Sequence, residues 1–107
     1  MPVRLDKDWR ELTEEGVSRL AGQLGVFELG NDAGEVLFVG FAGAKSLYGL
    51  KGEVSSYLGQ ASHFRIEITS AYRTRHRELL MVHHADHGNY PPMNDESSTR
   101  SLGKLSP

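Results

Sequence analysis

The chain has 107 residues, a formal net charge of -2 and no cysteine, with 38% hydrophobic and 24% charged residues. That length supports one domain around one core, and the lack of Cys excludes a disulfide framework, thiolate metal sites and a Cys nucleophile. The longest apolar run, Val36 to Val39, is four residues, far short of the roughly 20 needed to span a bilayer, so the sequence points to a soluble, cytoplasmic protein with no membrane partner.

In chain order, Thr13-Glu14-Glu15-Gly16-Val17-Ser18-Arg19-Leu20 reads as a short helix. Thr13 suits the N-cap, and the acids fall in the first turn, where the helix dipole favours them. Val17, Leu20 and Leu24 form its narrow apolar stripe. Residues 25 to 29 and 35 to 40 are β-type runs separated by Gly30-Asn31-Asp32-Ala33-Gly34, a stretch that tolerates positive φ, and together they predict a β-hairpin. From Ser46, a candidate N-cap, the period turns helical through Leu47, Leu50, Val54, Tyr57 and Leu58. Gly49 and Gly52 inside that stretch each cost about 1 kcal/mol relative to Ala, which points to close backbone approach. His63 to Thr69 alternates, with Phe64, Ile66 and Ile68 on one face and Arg65, Glu67 and Thr69 on the other, as in a half-buried strand. Thr74 to His87 predicts a helix of about 14 residues, roughly 21 Å long, with Leu79, Val82 and Met81 or His83 facing in and Gly88 as its stop.

The order α-β-β-α-β-α predicts a small α/β (α+β) domain over residues 1–94, with a three-stranded antiparallel sheet flanked by helices and an N-terminal helical extension. Residues 95–107 are rich in Ser and charge and are expected to form a flexible tail. Charge is unevenly spread: residues 1–40 hold four basic against eight acidic residues, whereas residues 41–80 hold six basic against three acidic. The basic middle segment is either a phosphate-facing patch or a solvated face.

Gly25-Val26-Phe27 is followed after ten residues by Phe38-Val39-Gly40, and a helix, a strand and a helix carrying Arg77-Glu78-Leu79-Leu80-Met81-Val82 come next, closed by Pro92-Met93-Asn94. In this ordered set the chain resembles the GIY-YIG nuclease family over residues 25 to 94. The resemblance implies two such triplets on a hairpin, and cleavage of a phosphodiester with one divalent metal, Mg²⁺ or another, held by a helical Glu. Carried onto this chain, it implies Phe27, Phe38, Lys51 and Glu78 as catalytic positions, Glu78 as metal ligand, and nucleic acid, DNA rather than RNA, as partner. Lys51, Arg73, Arg75 and Asn94 are the expected nucleic-acid contacts.

Two departures bear on catalysis. Both signature tyrosines are Phe here, Phe27 and Phe38, so neither can relay a proton, and loss of such a group costs about 10²- to 10⁴-fold in rate. Lys51 stands where the family carries Arg, and an ammonium lacks the planar fork that orients a phosphate. His76 and Tyr72 are the nearby candidates to take over proton transfer, His76 because imidazole titrates near neutrality. The alternative to an endonuclease is a non-catalytic interaction or nucleic-acid-binding module on the same scaffold. Separately, His83 and His87 at i, i+4 share one helix face, as in transition-metal sites, with no third ligand at matching spacing.

Overall fold

The computed structural model describes residues 4–44 and 46–94. The elements run β1 (Arg10–Glu11), α1 (Glu14–Ser18), β2 (Gly25–Gly30), β3 (Val36–Ala42), α2 (Gly49–Ser55), β4 (His63–Ile68) and α3 (Tyr72–His87). All pairings are antiparallel in one sheet of order β1-β4-β2-β3. The class is α+β, with four strands rather than the expected three. The extra strand, β1, is two residues long and pairs Arg10 with Phe64 and Glu11 with His63, too short for alternation to register in a sequence. The expected tail lies outside the described residues.

The hairpin forms where the sequence places it. Asn31 Oδ1 accepts from the backbone N–H groups of Ala33 and Glu35 at 3.0 and 2.9 Å, and Gly34 takes φ 82°, the Asx-turn chemistry that reverses a chain. Central β2 is buried at all six positions, as a strand covered on both faces must be. On one face Phe27, Leu29 and Phe64 pack with Val17 of α1 and Leu50 and Val54 of α2. On the other, Val26 and Val39 pack with Leu79 and Leu80 of α3 and with Leu5 of the N-terminal segment. The sheet is thus the middle of three layers.

Helix α2 starts later than its apolar period predicts. Tyr48 and Gly49 hold φ of 64° and 56°, left-handed values that a helix cannot propagate. Ser46 therefore caps no helix, and its Oγ accepts from Gly43 N at 3.0 Å. Leu47 is 74% exposed instead of joining the core. The close approach signalled by Gly49 is real: a Cβ there would overlap the backbone of Gly22 and Gln23. In α3 the buried pair is Leu79 and Leu80, while Met81 points outward. Gly88 ends the helix at φ 80°, its N–H donating to His84 O at 2.8 Å.

Beyond α3 the chain returns along the free edge of β3. Met93 N–H donates to Leu37 O at 2.8 Å. Buried Asn94 accepts from Val39 N at its Oδ1 and donates from Nδ2 to Val39 O, both at 2.9 Å. The segment occupies edge groups that would otherwise be open to pairing with another chain. Among the described residues no helix is long and apolar enough to cross a membrane.

Candidate functional site

A cleft of about 250 Å³ opens at the β3 edge between α2 and α3. Phe27, Phe38 and Gly40 form its floor, Phe41 and His76 one wall, and Ser46, Glu53 and Tyr57 the other. The two triplets build this floor by cross-strand pairing: Phe27 stands opposite Gly40, and a Cβ on Gly40 would overlap the Phe27 ring. The Phe27 and Phe38 rings lie 5.9 Å apart, and Phe38 meets Tyr57 at 4.8 Å. Phe41 contacts Tyr72 at 5.6 Å and the edge of His76 at 4.9 Å, separations at which aromatic pairs attract.

His76 sits at 3.1 Å from Val39 O through Nε2. A carbonyl only accepts, so Nε2 carries the proton and, in the neutral ring, Nδ1 keeps its lone pair. Burial pushes the His76 pKa down, with the Val39 bond opposing, which favours that neutral ring.

The two charged residues that the resemblance assigns to the chemistry do not line this cleft. Glu78 is on the flank of α3, its Oε1 taking a 3.4 Å hydrogen bond from Arg75 Nη1. Lys51 is exposed on α2. Each lies two positions from the residue that does face the cleft, Glu78 from His76 and Lys51 from Glu53. Two positions are about 200° around a helix of 3.6 residues per turn. The divalent metal implied at Glu78 therefore does not fit this arrangement, because the carboxylate faces Arg75 rather than the hairpin floor.

Of the expected phosphate contacts, Arg73 is exposed beside Phe41, its guanidinium 5.9 Å from the ring. Arg75 is only 14% exposed and fully engaged. Its Nε and Nη2 donate to Glu67 at 2.7 and 3.0 Å, and Nη2 also reaches Arg4 O at 3.1 Å. The exposure expected of a residue near a helix start is thus absent at Arg75, since its flank is covered by the N-terminal segment. Asn94 secures β3 from behind rather than lining the cleft. Tyr72 spends its hydroxyl on the backbone N–H of Ala44, 3.1 Å away.

Glu53, Tyr57, Phe41 and Ser46 are cleft residues that motif reasoning passes over. The phase of α2 carries the missing signal: with Leu50 and Val54 inward, Glu53 and Lys51 fall on opposite flanks, and Tyr57 stacks four residues beyond Glu53. Elsewhere, His83 and His87 approach to 4.4 Å between ring centroids, and His83 Nδ1 donates to Asn89 O at 2.9 Å. The described residues bring no group of three or more His, Asp and Glu side chains together to hold a metal ion.

The architecture is that of a small α+β domain whose sheet exposes an aromatic cleft at one edge. The chain belongs to the family described as a domain of unknown function, DUF7508, whose profile matches residues 1–86. No curated protein sequence matches it significantly.

Proposed function

We propose that this domain is a GIY-YIG-like module that binds single-stranded nucleic acid at the β3-edge cleft without cutting it. The observation that carries the reading is the composition of the cleft: aromatic rings line most of it, with His76, Ser46 and Glu53 as its polar side chains, while Glu78 is held by Arg75 outside it. Phe27 and Phe38 have no hydroxyl to pass a proton, and the carboxylate needed for a metal faces elsewhere. Aromatic surfaces at the mouth of a groove suit unpaired bases, since every base offers a π-face and stacking is sequence-tolerant. Arg73 and, one turn later on the same flank, Arg77 are exposed and make no ion pair with a described residue, so both are available to phosphates.

Fluorescence anisotropy with labelled single-stranded DNA tests this. Two phosphate contacts predict weak binding whose log K falls against log salt with a slope of about -1.4. Reversal of both arginines, Arg73→Glu with Arg77→Glu, is expected to abolish binding with the thermal transition unchanged. Binding that survives the double reversal places the interface elsewhere. The competing endonuclease reading requires Mg²⁺-dependent cleavage by the unmodified protein that is lost in His76→Ala or Glu78→Ala, and that result would replace the binding reading.

A further inference from the structure

The cleft also carries a hydrogen-bonding pattern, and that pattern is selective. Two of its wall groups, Glu53 and His76, present acceptors, and a third, Ser46, presents a donor. The Glu53 carboxylate is half-buried and makes no ion pair with a described residue. His76 has its Nε2–H committed to Val39 O, leaving Nδ1 as an acceptor. Ser46 Oγ already accepts from Gly43 N, so its own proton remains to donate. The Phe38 and Tyr57 rings stand close by, 4.8 Å apart between centroids, and offer apolar faces to a flat group.

We infer that the cleft takes one unpaired base and prefers guanine. Among the four bases only guanine presents two neighbouring donors, N1–H and N2–H₂, on its pairing edge, with the O6 acceptor beside them. The carboxylate of Glu53 accepts from both donors as a fork, and the Ser46 hydroxyl supplies the donor for O6. Cytosine and adenine each place a ring-nitrogen lone pair on that edge, opposite the carboxylate, and thymine flanks its single donor with two carbonyls. A carboxylate thus repels part of every edge but that of guanine. The volume of about 250 Å³ lies just below the range of drug-sized ligand pockets, about 300 Å³ and upwards, which fits a single planar base rather than a whole nucleotide. The phosphates then fall outside, on the flank of Arg73.

This inference rests on the nucleic-acid reading above, and the experiment separates the two. Four labelled oligothymidine strands, each with one central dG, dA, dC or deoxyinosine, and an unsubstituted strand are titrated by anisotropy at low salt. The dG strand is expected to bind about 5- to 150-fold more tightly than the dA, dC and unsubstituted strands, the discrimination of one bidentate base contact. Inosine, which lacks the N2 amine, is expected to lose most of that gain. Glu53→Gln, nearly isosteric and on a half-exposed helix face, is expected to level the series while binding persists through stacking and Arg73. Equal affinity for all the strands, or a dG preference that survives Glu53→Gln, overturns the guanine assignment and leaves the binding reading standing. Retention of none of the strands overturns the binding reading itself. If a peptide carrying methylated lysine binds in a Glu53-dependent manner where the oligonucleotides do not, the carboxylate and rings serve a protein-borne cation instead, and both proposals fall.

Discussion

The two faces of the sheet treat charge in opposite ways. Toward α1 and α2 the sheet presents Phe27, Leu29 and Phe64 to an apolar cluster that includes Val17, Leu50 and Val54. Toward α3 and the N-terminal segment it presents Glu28, Arg65 and Glu67, and each of these carries an ion pair. Arg65 Nε meets Glu28 at 2.8 Å and its guanidinium covers the Trp9 ring at 4.1 Å. Arg75 joins Glu67 to Glu78, and Arg4 closes on Asp86 at 2.6 Å. Of the six basic residues that make the middle of the sequence look phosphate-seeking, Arg65 and Arg75 are absorbed in holding α3 and the N-terminal segment against the sheet. Two of the segment's six basic residues are thus structural, and the candidate site lies where aromatic rings reach the surface.

The largest expected effect comes from breaking the charged face at its most buried pair. Glu28 and Arg65 side chains are 7% and 19% exposed, and removing one member of a buried pair costs about 3 to 5 kcal/mol because the other is left uncompensated. Arg65→Ala is therefore expected to lower the urea midpoint strongly, whereas Glu28→Leu with Arg65→Met is expected to be near neutral. The pH dependence has a definite sign. Burial pushes the Glu28 pKa above its ordinary 4.5, with Arg65 opposing. A carboxyl raised in the folded state contributes stability that is present below 4.5 and is lost as pH rises through the folded value. The deficit of Arg65→Ala should accordingly shrink on acidification, and a deficit that grows in acid would contradict the burial of Glu28.

Next in size is the strap along the β3 edge. Asn94→Ala removes the side-chain partner of Val39 N and one of the two partners of Val39 O at a buried position, an expected loss of about 1 to 3 kcal/mol read by thermal unfolding. Because Val39 O is shared with His76, the same variant should also loosen the cleft wall and weaken oligonucleotide binding. His76 itself supplies a smaller, pH-gated effect. Its pKa is lowered by burial from the ordinary 6.5, so the unfolded chain takes up protons first as pH falls below 6.5, and native stability declines over that window. His76→Gln is expected to flatten that part of the stability profile, and an unchanged profile would place the titrating group elsewhere.

These effects also show what was legible in the sequence. The hairpin, β4, α3 and the Gly88 stop follow from period and turn chemistry, because Asn31 with Gly34 and the alternation around Phe64 encode them locally. Strand β1 is invisible because two residues carry no period. The site is legible only in part. Phe27, Phe38, Gly40 and His76 meet in the cleft, since strand register is set by the hairpin. Lys51 and Glu78 do not, since charge type says nothing about helix phase, and an offset of two residues turns a side chain to the far flank. The buried pairs decide which flank: Leu50 with Val54, and Leu79 with Leu80, fix the inward faces of α2 and α3. Arg75 looks exposed near a helix start until the segment around Arg4 covers it, a long-range contact with no local signature.

The smallest expected effect is the sharpest test of the contrast. The Glu78 side chain is 45% exposed and meets Arg75 at 3.4 Å, and an ion pair three residues apart on a helix surface contributes about 0.2 to 0.5 kcal/mol. Arg75 retains its two shorter bonds to Glu67 when Glu78 is lost, so the network survives the substitution. Glu78→Ala is thus expected to shift the melting temperature barely and to leave oligonucleotide affinity within experimental error. Were Glu78 a metal ligand on the cleft, the same change would abolish Mg²⁺-dependent binding or cleavage while stability stayed constant. A melting temperature and a titration, both on this one variant, therefore distinguish a helix-flank ion pair from a catalytic carboxylate.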